Sequence, residues 1–172
     1  MRQRLRKIWV QCVVLLTIVA MAAPAFTAQD QDKHPDCSYC GMDRTKFAHS
    51  RVYINYDDGS SVGTCSLHCA AMDLALKIDK TPSTIQVADF GSKELIDVEM
   101  ATWVIGGSKM GVMTKRAKWA FKEKTSAEAF VAQFGGQIAD FDSAVKAAFE
   151  DMYEDVQMIR EKRRMKRMKH GS

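Results

Sequence analysis

The alternation of hydrophobic and polar positions predicts short strands and helices in a regular order. Residues 51–56 are rich in β-forming side chains, and residues 57–59, Asp-Asp-Gly, supply a hairpin turn into a second strand at 61–65. Residues 66–77 are predicted to form a helix, because leucines and alanines recur on one side. Ser66 can cap this helix. Residues 84–88 form the next predicted strand, so the first unit has the order β-β-α-β.

A unit of the same order follows, although the two units share no sequence identity. Residues 102–105 and 118–121 are predicted strands separated by a Gly-rich turn. Residues 125–128, Thr-Ser-Ala-Glu, match a capping box that opens a helix, and Gly135-Gly136 closes it before a last strand at 137–141. The fold class predicted from these elements is α+β, with two small ββαβ-type halves.

One long helix is predicted from Asp142 onwards. An apolar seam runs along it at spacings of four and three residues, formed by Val145, Phe149, Met152, Val156 and Ile159. We expect the helix to pack on the rest of the protein through this seam. Beyond the seam, residues 160–169 hold seven basic residues and one acid. This basic end is either a solvated tail or a segment that contacts an anionic membrane surface or an acidic partner.

The N-terminus has the pattern of a secretory signal peptide. Four basic residues stand within residues 2–7, an apolar run follows from Ile8 to Ala23, and Ala-Pro-Ala places the cleavage site after Ala25. The alternative is a permanent anchor, for which the run is short. Cys12 lies inside the run and is not positioned for lipidation, so we expect a periplasmic protein without a lipid anchor.

Composition and charge narrow the class of protein further. The chain has 172 residues, of which 47% are hydrophobic and 27% charged, so a collagen-like or wholly disordered chain is excluded. The net charge of +4 belongs to the predicted signal peptide, which carries four basic residues and no acid. The remaining chain is neutral, with +6 in the basic end and −6 elsewhere. Export disfavours a nucleic-acid partner for the basic end.

These features divide the chain into five segments. They are a signal peptide (1–25), a linker (26–36), a cysteine-rich metal-binding half (37–90), a second α+β half (91–141) and a C-terminal amphipathic helix with a basic tail (142–172). The linker is predicted from its short, polar sequence. All four cysteines that follow the signal peptide lie in the first half.

The four cysteines form two close pairs with the spacing of a metal site. They are Cys37-x2-Cys40 and Cys65-x3-Cys69, and His68 makes the second group Cys-x2-His-Cys. The first pair stands in a tight turn, whereas the second is presented at the start of the predicted helix. Soft thiolates suit Zn(II) and Cu(I), and four of them can close a tetrahedral site. His68 fits equally well as a ligand and as a solvent-facing helix residue.

Disulfides are the competing interpretation of these cysteines. An exported protein with four cysteines can form two disulfides, in any of three pairings. A bond between Cys37 and Cys40 would be of the redox type. The methionines favour a metal instead, because Met42 sets a thioether beside a thiol, and Met110 and Met113 lie on a polar, Gly-rich loop.

Several motifs resemble known metal-binding families. The segments Cys37-Ser-Tyr-Cys40-Gly-Met42, Tyr56-x2-Gly59 and Cys65-Ser-x2-Cys69 resemble the TRASH/YHS class of small treble-clef-like modules. Over residues 36–145 the chain resembles the NosL family, copper-binding accessory proteins of nitrous oxide reductase. The motifs found in family order are the Cys-Gly-Met segment, Ala101-x-Trp103-Val, Met113, Ala120-Phe121, Ala129-Phe130 and Gly135-Gly136.

This resemblance implies a periplasmic Cu(I) carrier built from two small α+β halves, the first of them treble-clef-like. Its implied partners are a copper-enzyme apoprotein and an ABC-type membrane assembly complex. Two features depart from the family. Many members are lipoproteins, whereas this chain has no lipid-acceptor cysteine, and the group Cys65-x2-His68-Cys69 is richer in thiols than expected. The extra thiols either add a structural site or change the metal.

Three functions follow from these residues. In a Cu(I) carrier, Cys40, Met42 and Met113 would bind copper, and Cys37, Cys65, Cys69 and His68 would hold the two cysteine segments together. In a thiol oxidoreductase, the pair Cys37 and Cys40 would be the redox centre, but no strand or helix is predicted beside it to lower a thiol pKa. A structural zinc protein would leave the methionines unexplained. We interpret the chain as a carrier and not as an enzyme.

Overall fold

The computed structural model describes residues 29–170, so the predicted signal peptide lies outside the described residues. Four helices and seven strands make up this part of the chain. In order they are α1 (Gln29–Lys33), β1 (Val52–Tyr56), β2 (Ser61–Thr64), α2 (Leu67–Leu76), β3 (Pro82–Ala88), β4 (Leu95–Asp97), β5 (Thr102–Ile105), β6 (Lys118–Phe121), α3 (Lys124–Phe134), β7 (Gln137–Ala139) and α4 (Phe141–His170).

The strands form two small antiparallel sheets. The first sheet has the order β2-β1-β3-β4 and the second the order β6-β5-β7. The prediction of an α+β protein with two ββαβ-type halves is therefore confirmed. The first sheet also contains β4, which lies beyond the predicted boundary at residue 90 and was not predicted from the sequence pattern because only three residues pair there.

The β1–β2 hairpin forms where its turn sequence predicts it. Gly59 has a φ of +79°, a conformation that costs glycine little, and the Tyr56 amide donates to the Ser60 carbonyl at 2.9 Å. Along β1 the side chains of Val52, Ile54 and Tyr56 are buried in alternation. This burial sets the hairpin in the core of the first half, directly before the residues that begin α2.

Helix α3 begins differently from the prediction. It starts at Lys124 with an extended Glu123 before it, and no side chain caps it, so the predicted capping box at 125–128 is wrong. The helix closes as predicted at Gly135, whose φ is +73°. Ser66 does stand at the N-cap position of α2, but its side chain makes no capping hydrogen bond.

The long helix α4 is confirmed, but a different face of it packs on the body. Its buried residues are Phe141, Ala144, Ala147, Ala148 and Asp155. The small alanines allow the helix to lie close against α2 and β5. The predicted seam lies at the margin of this contact, where Val145 and Met152 are partly buried and Phe149 is 44% exposed.

The described part of the predicted linker, from residue 29 onwards, packs into the protein. Residues 29–33 form α1, and its Asp30 is buried. The Asp30 carboxylate accepts hydrogen bonds from Arg44 at 2.7 Å and from Arg51 at 2.9 Å, and both arginines are buried as well. Polarity alone predicted a linker, but an ion group of this kind makes a polar segment part of the core.

No helix among residues 29–170 combines the length and the apolar character that crossing a membrane requires.

The buried ion group yields a stability prediction. Replacing Asp30 by Asn in the protein lacking residues 1–25 removes the negative charge that the buried guanidinium groups of Arg44 and Arg51 share. We expect the free energy of unfolding to fall by about 3–5 kcal/mol, as measured by urea denaturation. Asp32→Asn is the matched control, since Asp32 lies on the same helix and is exposed, and it should change stability by less than about 0.5 kcal/mol. Equal effects of the two substitutions would contradict the role of the ion group.

Candidate metal centre

The first cysteine pair lies in a closed turn, Cys37–Met42, which we call the knuckle. The Cys37 amide donates to the Met42 carbonyl at 2.8 Å, and the Gly41 amide donates to the Cys37 carbonyl at 2.9 Å. Gly41 has a φ of +70°, which strains any residue with a Cβ atom. The Cys-x2-Cys-Gly spacing therefore folds into a turn that presents both thiols on one side.

Strand β2 holds the knuckle in place. Both the amide and the hydroxyl group of Ser38 donate to the carbonyl of Gly63, each at 3.1 Å. A Cβ atom at Gly63 would lie only 2.5 Å from the Cβ of His34 and 2.6 Å from the guanidinium of Arg44. A glycine is therefore required where the strand passes between the knuckle and the buried ion group.

The second cysteine pair spans the junction of β2 and α2. Cys65 follows the strand, its carbonyl accepts a hydrogen bond from the Ser50 hydroxyl at 2.8 Å, and Cys69 lies in the first turn of the helix. The side chains of residues four apart meet on one face of a helix. The helix start thus carries both thiols towards the knuckle.

The four thiols meet in one cluster. The sulfur atoms of Cys37, Cys40, Cys65 and Cys69 all lie within 4.8 Å of one another. The distance is 3.4 Å from Cys40 Sγ to Cys65 Sγ and 3.9 Å from Cys65 Sγ to Cys69 Sγ. Four thiolates around an ion at Zn–S bond lengths would be about 3.8 Å apart. The cluster therefore has the dimensions of a metal site, and its four cysteines are free thiols rather than disulfides.

The close approach of the thiols shifts their pKa values in opposite directions. Hydrogen bonds from Cys40, Cys65 and Cys69 lower the pKa of the Cys37 thiol far below its usual range. The bonds that Cys65 and Cys69 make to Cys37 raise the pKa of each of those two thiols well above its usual range. Like charges at this distance oppose full ionisation, so a cation is needed for all four thiolates to form.

Both halves of the protein surround the cluster with apolar groups. Cys37, Cys65 and Cys69 are buried and Cys40 is half-buried. Their buried neighbours in this apolar group come from the second half: Val104, Val112, Ala117, Trp119, Phe121, Ala127 and Phe130. The second half therefore covers one side of the cluster and limits access by water, while Cys40 remains the thiol nearest to solvent.

The structure brings both predicted methionine ligands to the same apolar group. Met42 and Met113 are both partly buried against it. Met113 has a φ of +63°, which is uncommon for a residue with a side chain. Met110 lies on the same Gly-rich loop as Met113 but is 80% exposed. Of the loop methionines, Met113 is thus the one directed into the protein.

His68 lies beside the cysteines in sequence but contacts α4 instead. Its Nδ1 is 3.3 Å from Asp155 Oδ2, and the two side chains are only 2% and 1% exposed. Asp155 also accepts a hydrogen bond from the Lys115 amide at 2.9 Å. Burial lowers the pKa of the His68 imidazole. Among the described residues the close group of potential ligands consists of the four cysteines, and His68 joins α2 to α4.

One element of the centre was not predicted from the sequence. The buried carboxylate of Asp73 on α2 accepts short hydrogen bonds from the hydroxyl groups of Tyr39 and Tyr56, and Lys77 lies 2.8 Å from it. Burial and these bonds raise the pKa of both tyrosines. Tyr39 stands between the two cysteines of the knuckle, so Asp73 ties the knuckle to α2. An acid four residues after Cys69, in a helix whose residues are apolar apart from His68, was the available signal.

A tetrathiol cluster between two small α+β halves defines a metal-binding protein. The comparisons with known proteins agree with this class. The family model named NosL matches residues 28–149, and the chain therefore belongs to the NosL family. The crystal structure of the copper chaperone NosL from Shewanella denitrificans matches with a TM-score of 0.53 and 25% sequence identity, over 69% of this chain and 96% of that chain. The comparison with curated proteins gave no match.

The family match confirms the main interpretation of the sequence and shows which part of the chain the family covers. The resemblance to NosL is confirmed, and so is the choice of a copper-chaperone family over an enzyme. The match ends at residue 149, within α4. The basic end of that helix therefore lies outside the part of the chain that the family model describes.

The tie between the knuckle and α2 can be tested with two tyrosines that share one acceptor. Tyr39→Phe removes the bond that positions the knuckle, and we expect metal affinity to fall about tenfold, as for other groups that orient ligands. Tyr56→Phe removes a bond to the same carboxylate from β1, outside the knuckle, and should change the affinity by less than about twofold. Competition with a chelator, for Zn(II) and for Cu(I), measures both affinities.

The free energy of unfolding, measured for the same two variants, separates positioning from general loss of structure. A fall in affinity that simply follows the loss of stability in both variants would show that Tyr39 has no positioning role.

Proposed function

We propose that this protein is a periplasmic Cu(I) metallochaperone that delivers copper for the assembly of a copper enzyme, with nitrous oxide reductase as the first candidate. The observation that carries the proposal is a cluster of four thiols with one member, Cys40, at its accessible side. Membership of the NosL family and the likeness to a copper chaperone support it.

A carrier must hold copper and also release it, and the two sides of the cluster suit these tasks. Cys37, Cys65 and Cys69 are buried and are the members best placed to keep the site together. Cys40 is half-buried, and Met42 follows it on the same turn within the same apolar group. A thiolate and a thioether suit Cu(I) at low coordination number. An acceptor's ligand can then approach from the Cys40 side.

We assign Cys40, Met42 and Met113 as the copper-handling ligands and the remaining thiols as the support of the knuckle. Cys40 cannot serve both groups at once unless it bridges two ions. His68 belongs to the supporting set through its contact with Asp155, which fixes the helix that carries Cys69.

A structural zinc protein is the second candidate, and the geometry itself favours it. Four thiols within 4.8 Å of one another can close a tetrahedral Zn(II) site, and a closed site of this kind holds its metal for structure. In that case the protein would act through protein contacts. The oxidoreductase alternative has no comparable support. It requires Cys37 and Cys40 to act as a separate pair, whereas the sulfur of Cys40 lies 3.4 Å from that of Cys65, which belongs to the other pair.

The partners follow from the family and from the predicted signal peptide. A copper-enzyme apoprotein would receive the metal, and an ABC-type membrane complex would take part in the assembly. Both belong to the proposal, as does the periplasmic location.

The methionine ligand gives the direct test of the copper assignment. Met42→Leu keeps the apolar volume but removes the thioether, so the fold should be preserved while the dissociation constant for Cu(I) rises about tenfold or more. Met110→Leu is the matched control, because Met110 is exposed, and it should leave the affinity unchanged. Anaerobic titration of the reduced protein lacking residues 1–25 against a competing chelator measures these constants.

The same titration distinguishes the two candidate functions. Tight 1:1 binding of Cu(I) that weakens in Met42→Leu supports the carrier. Zinc retained through purification, together with Cu(I) bound no better than by free thiols, would favour the structural zinc protein.

A further inference from the structure

The basic end of α4 separates its arginines from its lysines. The arginines at positions 160, 163, 164 and 167 follow the spacing i, i+3, i+4, i+7, which places them on one side of a helix; we call this the arginine face. The lysines at 162, 166 and 169 follow the spacing i, i+4, i+7 and form a second side, the lysine face. All seven side chains are exposed.

The arginine face meets the metal centre. Nη2 of Arg163 donates a hydrogen bond to the backbone carbonyl of Cys40 at 3.2 Å, although 123 residues separate the two in sequence. Cys40 is the least buried of the four cysteines. The positive charge on this side of the helix therefore borders the one thiol that an incoming ligand can approach.

Two acids of α4 next to the body, Glu150 and Asp151, are paired with the second half of the protein rather than with the basic end. Glu150 lies 3.0 Å from Arg116, and Asp151 lies 2.9 Å from Arg116 and within bonding distance of Lys118. The basic end keeps a net charge of +6, whereas the rest of the chain after the predicted signal peptide carries −6. An acidic surface would thus be attracted to the basic end and repelled by the remaining body.

We propose that the arginine face is the docking surface for an acidic protein that exchanges copper with the centre at Cys40; this proposal rests on the carrier function. Guanidinium groups form paired hydrogen bonds with carboxylates, which an ammonium group cannot do. Docking would set the acceptor's thiol beside Cys40. Copper stays Cu(I): a bond to the acceptor's sulfur forms as the bond to Cys40 breaks, and Cys40 takes the proton that the acceptor thiol loses.

The separation of the two faces favours a protein over a lipid surface. Anionic lipid attracts lysine and arginine alike, at about 1 kcal/mol for each. An anionic membrane would therefore not distinguish the arginine face from the lysine face. A copper acceptor must reach Cys40, and only the arginine face is joined to the loop that holds this residue.

Two triple variants with equal loss of charge test the proposal. One changes Arg160, Arg164 and Arg167 to Gln and keeps the contact of Arg163, and the other changes Lys162, Lys166 and Lys169 to Gln. Glutamine has a helix propensity close to those of lysine and arginine, so α4 should persist in both. The acceptor is a synthetic peptide with Cys-Gly-Gly-Cys and four glutamates, and the same peptide with four glutamines is the uncharged control.

The measurement is the rate of Cu(I) transfer from the loaded protein to each peptide. At low ionic strength we expect the arginine-face variant to transfer copper to the acidic peptide about tenfold more slowly, and the lysine-face variant to stay within about threefold of the parent. The difference should disappear in about 0.5 M salt and with the uncharged peptide. Equal slowing in both variants, or slowing in neither, would overturn the proposal.

Two further readouts make the outcome unambiguous. Co-sedimentation with vesicles of 30% phosphatidylglycerol in phosphatidylcholine tests the lipid alternative. Vesicle binding that both variants lose equally, with unchanged copper transfer, would replace the docking proposal.

The equilibrium affinity for Cu(I) is measured separately. If the parent protein binds no Cu(I), the carrier function fails. The same variants are then compared in the metal-free reaction of the thiols with 5,5′-dithiobis(2-nitrobenzoate), a dicarboxylate, where equal rates would overturn the arginine face as an anion-docking surface.

Discussion

The mutual repulsion of four sulfur ligands is the constraint around which this protein is arranged. Thiolates within 4.8 Å of one another cannot all carry charge unless a cation lies among them. The polypeptide must therefore hold the thiols together against this repulsion. It does so with a knuckle closed by two backbone hydrogen bonds, a helix start that carries the second pair, and an apolar cover from the other half.

The support of the centre is polar on one side and apolar on the other. The polar support comes from two buried carboxylates: Asp30 binds Arg44 and Arg51, and Asp73 accepts a hydrogen bond from Tyr39 of the knuckle. The aromatic side is supplied by the second half, where Trp119 and Phe130 belong to the same group as the cysteines. The two halves thus form one site, although each has its own sheet.

The sequence predicted the parts of this protein that depend on local pattern. The two ββαβ units, the long helix and the family were all predictable, because turn residues, periodicity and the cysteine spacing are local signals. The packed segment around Asp30 and the role of Asp73 were not, since each depends on partners distant in sequence. The seam of α4 was misplaced for the same reason. Larger apolar residues define the strongest periodicity, but three of the five buried residues of the helix are alanines.

Because α4 is one continuous helix, the number of residues between Asp155 and Arg163 constrains the structure more than the identity of those residues does. Asp155 is fixed by the body of the protein, and Arg163 reaches Cys40 eight residues later along the same helix. One residue inserted or deleted between them would turn everything that follows by about 100° and shift it by about 1.5 Å. Substitutions in this stretch can accumulate, whereas a single change in residue number would move the arginines away from the knuckle.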